Sequence, residues 1–131
     1  MNLKIINLDR KKLFILMEKL RERFDEISHD IVLAVDEIGY NGIKHGKNVM
    51  VDIYLENNFL VMVFESEGIK IEDKYFRDSY YHSSNEMLTR EGGMGLYITR
   101  KIVDEFNYSF SGNKNIIQIK FDIKKRQEAF K

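Results

Sequence analysis

Residues 49–66 restrict the fold more than any other part of the chain. Two runs of alternating apolar residues, 49–56 and 59–66, are separated only by Asn57 and Asn58. Alternation is the period of a β-strand, and asparagine tolerates the positive φ angles of a two-residue hairpin turn. We therefore predict an antiparallel hairpin whose register is set by that turn.

This register divides the hairpin into two faces. The first is apolar up to its last residue and forms the core side: Val49, Val51, Ile53, Leu55, Leu60, Met62, Phe64 and Ser66. The second mixes charged and apolar residues: Met50, Asp52, Tyr54, Glu56, Phe59, Val61, Val63 and Glu65. Because the second face holds more apolar groups than a solvated face needs, we expect it to contact a partner protein or a second copy of the chain.

The periodicity of the rest of the chain supplies the other elements. Residues 3–8 predict a short edge strand, and Asp9 is the candidate N-cap of a first helix. The apolar positions of that helix are Leu13, Phe14, Met17, Leu20 and Phe24. Ser28 is the candidate cap of a second helix, which carries Ile31, Val35 and Ile38 inward and stops at Gly46.

The second half of the chain begins with an irregular polar and aromatic stretch, residues 68–91, which predicts a mobile lid with a short helix at 73–81. From Gly95 an amphipathic helix follows, with Leu96, Ile98, Ile102, Val103 and Phe106 inward. Strands at 107–111 and 116–123 around the turn at 112–114 finish the fold. This order predicts an α/β two-layer sandwich, a mixed but mostly antiparallel sheet with helices on one face.

Length and composition exclude several classes. A chain of 131 residues is expected to form a single domain over residues 1–123, followed by a charged, frayed helical tail at 124–131. Zero net charge disfavours a dedicated nucleic-acid binder, and the absence of cysteine excludes disulfides and thiolate chemistry. Without a long apolar run, we expect a cytoplasmic protein with no membrane association.

A polar stripe marks the second helix. Glu37, Asn41 and His45 recur at four-residue intervals, so they share one side of the helix. Gly39 and Gly42 beside them each weaken a helix by about 1 kcal/mol, which indicates that a ligand or another element approaches closely. Tight packing against the sheet is the alternative explanation. For His45, pairing with the helix C-terminal dipole is as good an explanation as contact with a ligand.

A second glycine-rich segment, residues 92–96, reads GGMGL and opens the later helix. Backbone N–H groups at the first turn of a helix attract phosphate groups. We expect this segment and the polar stripe to form the two walls of one nucleotide pocket.

Together these two segments resemble the Bergerat (GHKL) ATP-binding fold of gyrase, MutL and the histidine kinases. The carrying motifs are Glu37-x3-Asn41-x3-His45-Gly46 and, later, Gly93-x-Gly95-Leu96. The short chain and the compact lid ending in GGMGLYITRKIVDEF narrow the resemblance to bacterial anti-sigma-factor serine protein kinases. The resemblance extends over residues 3–123.

The resemblance implies ATP and Mg²⁺ as ligands, with a role for each matching residue. Asn41 would ligate Mg²⁺ through its amide oxygen, and Glu37 would be the catalytic carboxylate that deprotonates the attacking hydroxyl. Arg90, or less favourably Lys101, would reach the phosphates from the lid, although Arg90 is equally a candidate for a solvated loop charge. The remaining nucleotide-binding positions are His45, Gly46, Ser66, Gly68, Gly92, Gly93, Met94, Gly95 and Leu96.

The sequence departs from the family pattern at the base-binding box. The family carries Asp-x-Gly-x-Gly after the second hairpin strand, where the aspartate accepts a hydrogen bond from the adenine amino group. Here Ser66 replaces the aspartate and Lys70 replaces the second glycine. Glu65 and Glu67 adjoin the site but, by strand parity, point to the opposite face unless a bulge re-aims one of them.

The resemblance thus implies an ATP-dependent serine kinase that phosphorylates a small antagonist (anti-anti-sigma) protein, sequesters a sigma factor and forms a homodimer. The alternative is a switch protein on the same fold that captures partners without transferring phosphate, which Ser66 and Lys70 favour. A sensor histidine kinase is a weaker alternative, because no phospho-acceptor helix pair is apparent.

Overall fold

The structure, a computed structural model, describes residues 1–77 and 95–130 and contains a five-stranded sheet in the order β1-β2-β3-β5-β4. All four strand pairings are antiparallel. The strands are β1 (Asn2–Ile5), β2 (Lys47–Glu56), β3 (Phe59–Glu67), β4 (Glu105–Ser111) and β5 (Lys114–Asp122). The helices are α1 (Arg10–Phe24), α2 (Ser28–His45), α3 (Gly95–Ile102) and α4 (Ile123–Glu128), with 3-10 turns at Asp25–Ile27 and Asp73–Phe76. The predicted α/β fold is confirmed, with β1 at a sheet edge.

The central hairpin has the predicted register. Val51 pairs with Phe64 and Ile53 with Met62, and Asn57 adopts the positive φ of 57° that the turn requires. The helix-facing residues of β2, β3 and β5 are buried except Leu55, which was predicted in the core but is 38% exposed near the hairpin turn, and Ser66, which is half-buried. The alternation along the strands decides which side of the sheet the helices cover. On the opposite face Val61 is nevertheless buried, although it lies outside the core cluster beneath the helices. Neighbouring side chains on the same face of the sheet therefore cover Val61, so part of the mixed face is shielded from solvent without a partner protein.

Helix α1 begins as predicted but presents a different apolar stripe. Asp9 caps it, since its Oδ1 accepts a hydrogen bond from the backbone N–H of Lys12 at 2.8 Å. The buried positions are Leu13, Leu16, Leu20 and Phe24, whereas Phe14 is 62% exposed. Phe14 follows Leu13 by a single residue, a rotation of about 100° around the helix, and so leaves the core face.

The predicted cap of α2 is wrong, while its predicted end is confirmed. A 3-10 turn at Asp25–Ile27 runs directly into α2, so Ser28 is its first helical residue and no side chain caps it. At the other end, the backbone N–H of Gly46 donates to the carbonyl of Gly42 at 2.8 Å, and the chain leaves in an extended conformation.

Several boundaries near the C-terminus differ from the predictions. Helix α3 ends at Ile102, and Phe106 belongs to β4, which begins two residues earlier than expected. The last hairpin turns through Gly112 and Asn113 alone. The backbone N–H of Asp104 pairs with the carbonyl of Lys120, so pairing with β5 draws this segment out of the helix.

The residues expected to be a frayed helical tail contain helix α4, as predicted, and Arg126 holds this helix against the domain. Its guanidinium donates to Asp30 at 2.9 Å, to Asp104 at 3.1 Å and to the carbonyl of Ile102 at 2.6 Å. It also lies over the Phe121 ring at 4.8 Å. Arg126 thus joins the start of α2 to the end of α3, while the start of α3 at Gly95 lies against Glu37 further along α2, so the two helices run antiparallel.

Helix α1 packs on α2 at Gly39. The nearest heavy atom to a Cβ built on Gly39 would be Leu13 Cδ1, at 2.8 Å, so α1 crosses α2 at that glycine. Within the described ranges, no helix combines the length and apolar character needed to cross a membrane.

Candidate functional site

Glu37 and Gly95 lie in direct contact where α2 meets the start of α3. A Cβ built on Gly95 would lie 2.2 Å from Oε2 of Glu37 and 2.9 Å from its Cδ. Any side chain at position 95 would therefore occupy the space of the carboxylate. The contact joins the polar stripe of α2 to the end of the glycine-rich segment, which lie far apart in sequence.

The carboxyl group of Glu37 is electrostatically perturbed. Burial raises its pKa above the ordinary value of 4.5, and the neighbouring negative charge of Asp36 raises it further. A carboxylate that holds its proton more tightly is a stronger base once ionised, which suits a group that accepts a proton from a hydroxyl. Glu37 is half-buried, so it remains accessible from one side.

The other residues of the stripe extend from Glu37 along α2. Asn41 is half-buried one turn further on, and His45 is the exposed last residue of the helix. Gly42 contacts the sheet, because a Cβ there would lie 3.3 Å from Cγ1 of Val49. The close approach at Gly42 is thus to the sheet, as the packing alternative predicted, whereas the close approach at Gly39 is to Leu13 of α1.

The helix end at Gly46 lies against the end of β3. A Cβ on Gly46 would lie 2.9 Å from the carbonyl oxygen of Glu67 and 3.1 Å from Cβ of Ser66. Gly68 follows with a φ of +157°, a conformation that other residues rarely adopt, and its N–H donates to the carbonyl of Asn113 at 2.8 Å. Ser66 is therefore on the helix side of the sheet, at the end of the crevice where the family pattern would hold the base.

The adjacent glutamates face away from this crevice, as strand parity predicts. Asn48 donates to Oε2 of Glu67 at 2.6 Å, and Asn113 approaches Oε1 at 3.4 Å. The bulge in this hairpin occurs in β2, between Lys47 and Met50, so it does not re-aim the glutamates of β3. The position of the family aspartate thus carries only the Ser66 hydroxyl.

Two residues that the sequence reasoning missed hold the segment after Ser66 in place. Asn115, which pairs with Ser66 across the sheet, is buried. It donates to the carbonyl of Ile69 at 2.9 Å and accepts from the N–H of Ile71 at 3.1 Å. Tyr108 donates to the same Asn115 oxygen and accepts from Ile71, and burial raises its pKa. An isolated asparagine in an alternating strand was the only available signal.

The chain beyond this anchor is fixed as far as the described residues reach. Of the short helix predicted at 73–81, the structure shows a 3-10 turn at Asp73–Phe76. Phe76 is buried against Phe106 and Tyr108, with ring centroids 5.7 Å and 5.0 Å apart. Arg100 of α3 donates to the Phe76 carbonyl at 3.1 Å.

Several predicted residues fall outside the described ranges. These are Arg90, Gly92, Gly93 and Met94, together with most of the predicted lid. Gly95 and Leu96 are described and are buried at the start of α3. Lys101 lies at the other end of α3, with its Nζ 5.1 Å from the Tyr97 ring centroid, so it is not brought to Glu37.

On its open side, Glu37 borders a cleft of about 400 Å³ lined also by Arg10, Asp36 and Tyr40. The Arg10 guanidinium donates to the Tyr40 hydroxyl at 2.9 Å and lies 4.9 Å from the centre of its ring. Asp36 and Tyr40 neighbour the predicted site in sequence, but Arg10 arrives from α1 and could not be found from spacing.

The donor set fits a magnesium ion only if a nucleotide brings other ligands with it. No group of three or more histidine or acidic residues in the described ranges is arranged to hold a metal ion. Mg²⁺ is commonly held by one or two protein ligands together with substrate phosphates and water. A half-buried Asn41 amide, one turn from a carboxylate, suits that sharing of ligands.

Comparison with known sequences assigns this arrangement to a family. The profile of the histidine kinase-like ATPase domain matches residues 17–121, which include α2, the central hairpin, α3 and β4. The chain belongs to the histidine kinase-like ATPase domain family. ATP binding follows from membership of an ATPase family. A comparison with curated protein sequences gives no significant match.

Solved structures share the fold of this ATPase domain. The nucleotide-free catalytic domain of histidine kinase ThkA is similar with a TM-score of 0.60 and 13% identity, covering 93% of this chain and 95% of that one. The histidine kinase domain of a blue-light-activated kinase from Erythrobacter litoralis EL346 gives 0.58 and 16%, covering 90% and 62%. Histidine kinase AdeS of Acinetobacter baumannii gives 0.53 and 14%, covering 92% and 68%. At such identities the likeness extends to the fold alone.

The Gly95 contact leads to a first prediction. Gly95→Ala will displace Glu37 or α3, lower the free energy of unfolding by about 1–3 kcal/mol, and weaken nucleotide binding by the ATPase domain. Chemical denaturation and nucleotide titration measure the two effects. In a Glu37→Ala background the same substitution should destabilise less, because two of the three clashing atoms are gone. Equal destabilisation in both backgrounds would contradict the contact.

The raised pKa of Glu37 leads to a second prediction. Stability contributed by this group is fully present below pH 4.5, where the carboxyl is protonated in folded and unfolded chains, and is lost as pH rises through the higher folded pKa. Glu37→Gln, which stays neutral, should therefore raise the melting temperature at neutral pH, and the difference should vanish below pH 4.5. In an Asp36→Asn background the effect of Glu37→Gln on the melting temperature should be smaller but not zero, because only the smaller cause of the raised pKa is removed. A lower melting temperature for Glu37→Gln at neutral pH would show that the ionised carboxylate is stabilised instead.

Proposed function

We propose that this ATPase domain is an ATP-dependent serine protein kinase that phosphorylates a small antagonist protein and sequesters a sigma factor in the cytoplasm. The observation that carries the proposal is the contact between Glu37 and Gly95. It puts a perturbed carboxylate beside the glycine-opened helix where the phosphates of ATP are expected. The motif resemblance to anti-sigma-factor kinases supplies the serine and the sigma factor.

In this proposal each residue has one task. Glu37 accepts the proton of a serine hydroxyl as the serine oxygen bonds to the γ-phosphorus and the bond to the departing ADP oxygen breaks. Asn41 holds Mg²⁺ through its amide oxygen, and the ion shares the phosphate charge. Gly95 and Leu96 begin the helix whose N–H groups face the phosphates.

Homodimer formation belongs to the same proposal. The open face of the sheet carries Tyr54, Phe59 and Val63 in addition to the buried Val61. These residues are half-buried among charged neighbours, a pattern that supports contact with a second copy.

A second candidate function is a switch protein that binds nucleotide and partners without transferring phosphate. The observation favouring it is the base end of the crevice, where Ser66 occupies the position of the family aspartate and Glu67 is hydrogen-bonded on the opposite face. A charge-assisted hydrogen bond of the kind the family aspartate makes contributes about 1.5–3 kcal/mol. Its loss weakens base recognition more than phosphate recognition.

Phosphoryl transfer from radiolabelled Mg-ATP to a candidate antagonist protein tests the leading proposal. We expect Glu37→Ala to abolish transfer, because removing a general base lowers rates by about 10²–10⁴-fold, while nucleotide binding persists. Asn41→Ala should weaken both binding and transfer and raise the magnesium concentration required. His29→Ala, at the exposed start of the same helix, is the control and should change neither binding nor transfer. If the wild type binds Mg-ATP but neither hydrolyses it nor transfers its phosphate, the kinase proposal is wrong and the switch function remains.

Base selectivity provides a separate prediction. Since the described base end offers a hydroxyl and no carboxylate, the wild type should discriminate weakly between ATP and GTP. Ser66→Asp should raise ATP affinity by at least about tenfold while leaving GTP unimproved. Calorimetric titration with both nucleotides measures this, with Ser66→Ala as the matched control. Strong ATP preference in Ser66→Ala would show that other residues read the base.

A further inference from the structure

Arg126 of α4 connects the end of α3 to α2 and to the sheet. Its guanidinium donates to the carbonyl of Ile102, the last residue of α3, at 2.6 Å, and to Asp104 just beyond it at 3.1 Å. It also donates to Asp30, in the first turn of α2, at 2.9 Å and lies over the Phe121 ring of β5. The Arg126 side chain is only 19% exposed, so solvent screens these contacts weakly.

Helix α4 holds Arg126 in a defined place because its own start is anchored to the sheet. The side chain of Asp122 caps α4, and the N–H of Ile123 donates to the carbonyl of Asn58, in the turn of the central hairpin, at 2.9 Å. The N–H of Asp122 donates at 2.7 Å to Oδ2 of Asp104, the same oxygen that accepts from Arg126. The position of α3 at its Ile102 end is therefore set by the sheet through α4.

The other end of α3 is where its position matters for the nucleotide. Gly95 lies there against Glu37, with no side chain between them. Helix α3 has eight residues, so Gly95 and Ile102 are about 10 Å apart along the helix axis. A tilt of about 10° around the Ile102 end would move Gly95 by about 2 Å. A misplacement of about 1 Å in an active site can cost about 100-fold in rate.

The middle of α3 is held in the core by packing. Leu96 belongs to the hydrophobic core, and Thr99 is completely buried. The Thr99 hydroxyl makes no hydrogen bond within the described part of the chain. Apolar packing is non-directional, whereas the hydrogen bonds of a guanidinium with a carboxylate depend on geometry. Arg126 thus gives α3 a directional link to α2 that Leu96 and Thr99 do not supply.

From these contacts we infer that Arg126 is a positioning residue for the nucleotide site. By holding the Ile102 end of α3 to the start of α2, it sets how closely the Gly95 end lies against Glu37. The inference rests on the place of the ATP phosphates at the start of α3 in the proposed function. It goes beyond that function by making the nucleotide affinity depend on helix α4, at the opposite end of α3.

The test is calorimetric titration of the full chain with Mg-ATP, at a temperature where circular dichroism shows every variant to be folded. Arg126→Ala should raise the Kd by at least about fivefold, the lower end of typical coupling between distant sites. Asp30→Ala removes the bond to α2 but leaves Arg126 bonded to α3, so it should weaken binding in the same direction with a smaller loss of stability. Arg126→Lys keeps the charge but not the planar fork, and should restore binding only in part.

A second measurement separates positioning from general stability. Burial raises the pKa of Glu37, and the start of α3 covers part of that carboxylate. Release of this end in Arg126→Ala should therefore lower the pKa of Glu37 toward its ordinary value, as measured by NMR titration of the Glu37 carboxyl carbon. Arg10 and Asp36, the charged residues that line its open side, are the same in both proteins. A purely structural role for Arg126 would lower the melting temperature and leave this pKa unchanged.

Lys124→Ala is the matched control on α4. It removes an exposed basic side chain two positions before Arg126, about 200° away around the helix. It should change neither the Kd for Mg-ATP nor the pKa of Glu37. A loss of affinity as large as that of Arg126→Ala would indicate a general charge effect and overturn the inference.

The outcomes separate the inference from the function on which it rests. If the wild type binds Mg-ATP and both Arg126→Ala and Asp30→Ala bind it equally well, the positioning role is wrong and the proposed function is unaffected. A wild type that does not bind Mg-ATP would overturn both. If Arg126→Ala does not fold, the affinities of Asp30→Ala and Arg126→Lys decide the question in the same way.

Discussion

The close approach of α2 and α3 at Glu37 and Gly95 is the contact on which the rest of the site depends. With no side chain at position 95, the start of α3 can lie against the carboxylate, and burial there raises the pKa of Glu37. The antiparallel course of the two helices, tied at their far ends by Arg126, keeps this contact at one end of the pair. A basic carboxylate and a phosphate-facing helix start are thereby brought together by backbone packing rather than by a hydrogen bond.

The partial burial of Glu37 beside Asp36 lowers the stability of the folded state at the position where the proposed function needs a charged carboxylate. An ionisable group that is partly buried beside another carboxylate favours its neutral form, so the folded state is less stable when Glu37 is charged. A general base must nevertheless be ionised to act. The surrounding core, with Leu20, Ile31 and Ile53 completely buried, provides the stability against which this local loss is tolerated.

The base end of the crevice is organised differently from the phosphate end. Buried Asn115 and half-buried Tyr108 hold the backbone at Ile69 and Ile71, so the segment leaving β3 has a defined path, although Ser66 stands where the family pattern has its aspartate. Glu67 is committed to Asn48 on the other face. Within the described residues the domain thus retains the framework of a base pocket with no carboxylate at the Ser66 position, so both a kinase and a nucleotide-responsive switch are compatible with the same fold.

The sequence by itself determined the hairpin register, the fold class and the helix that carries Glu37, Asn41 and His45, because these follow from local periodicity and turn chemistry. It misassigned Phe14 to the core, since neighbouring apolar residues on a helix look alike until a partner element selects the buried stripe. Spacing also could not reveal Arg10 at the cleft or Asn115 beneath the base segment. Only the tertiary structure decided those neighbours, because contacts between residues distant in sequence are set by how helices cross and strands pair.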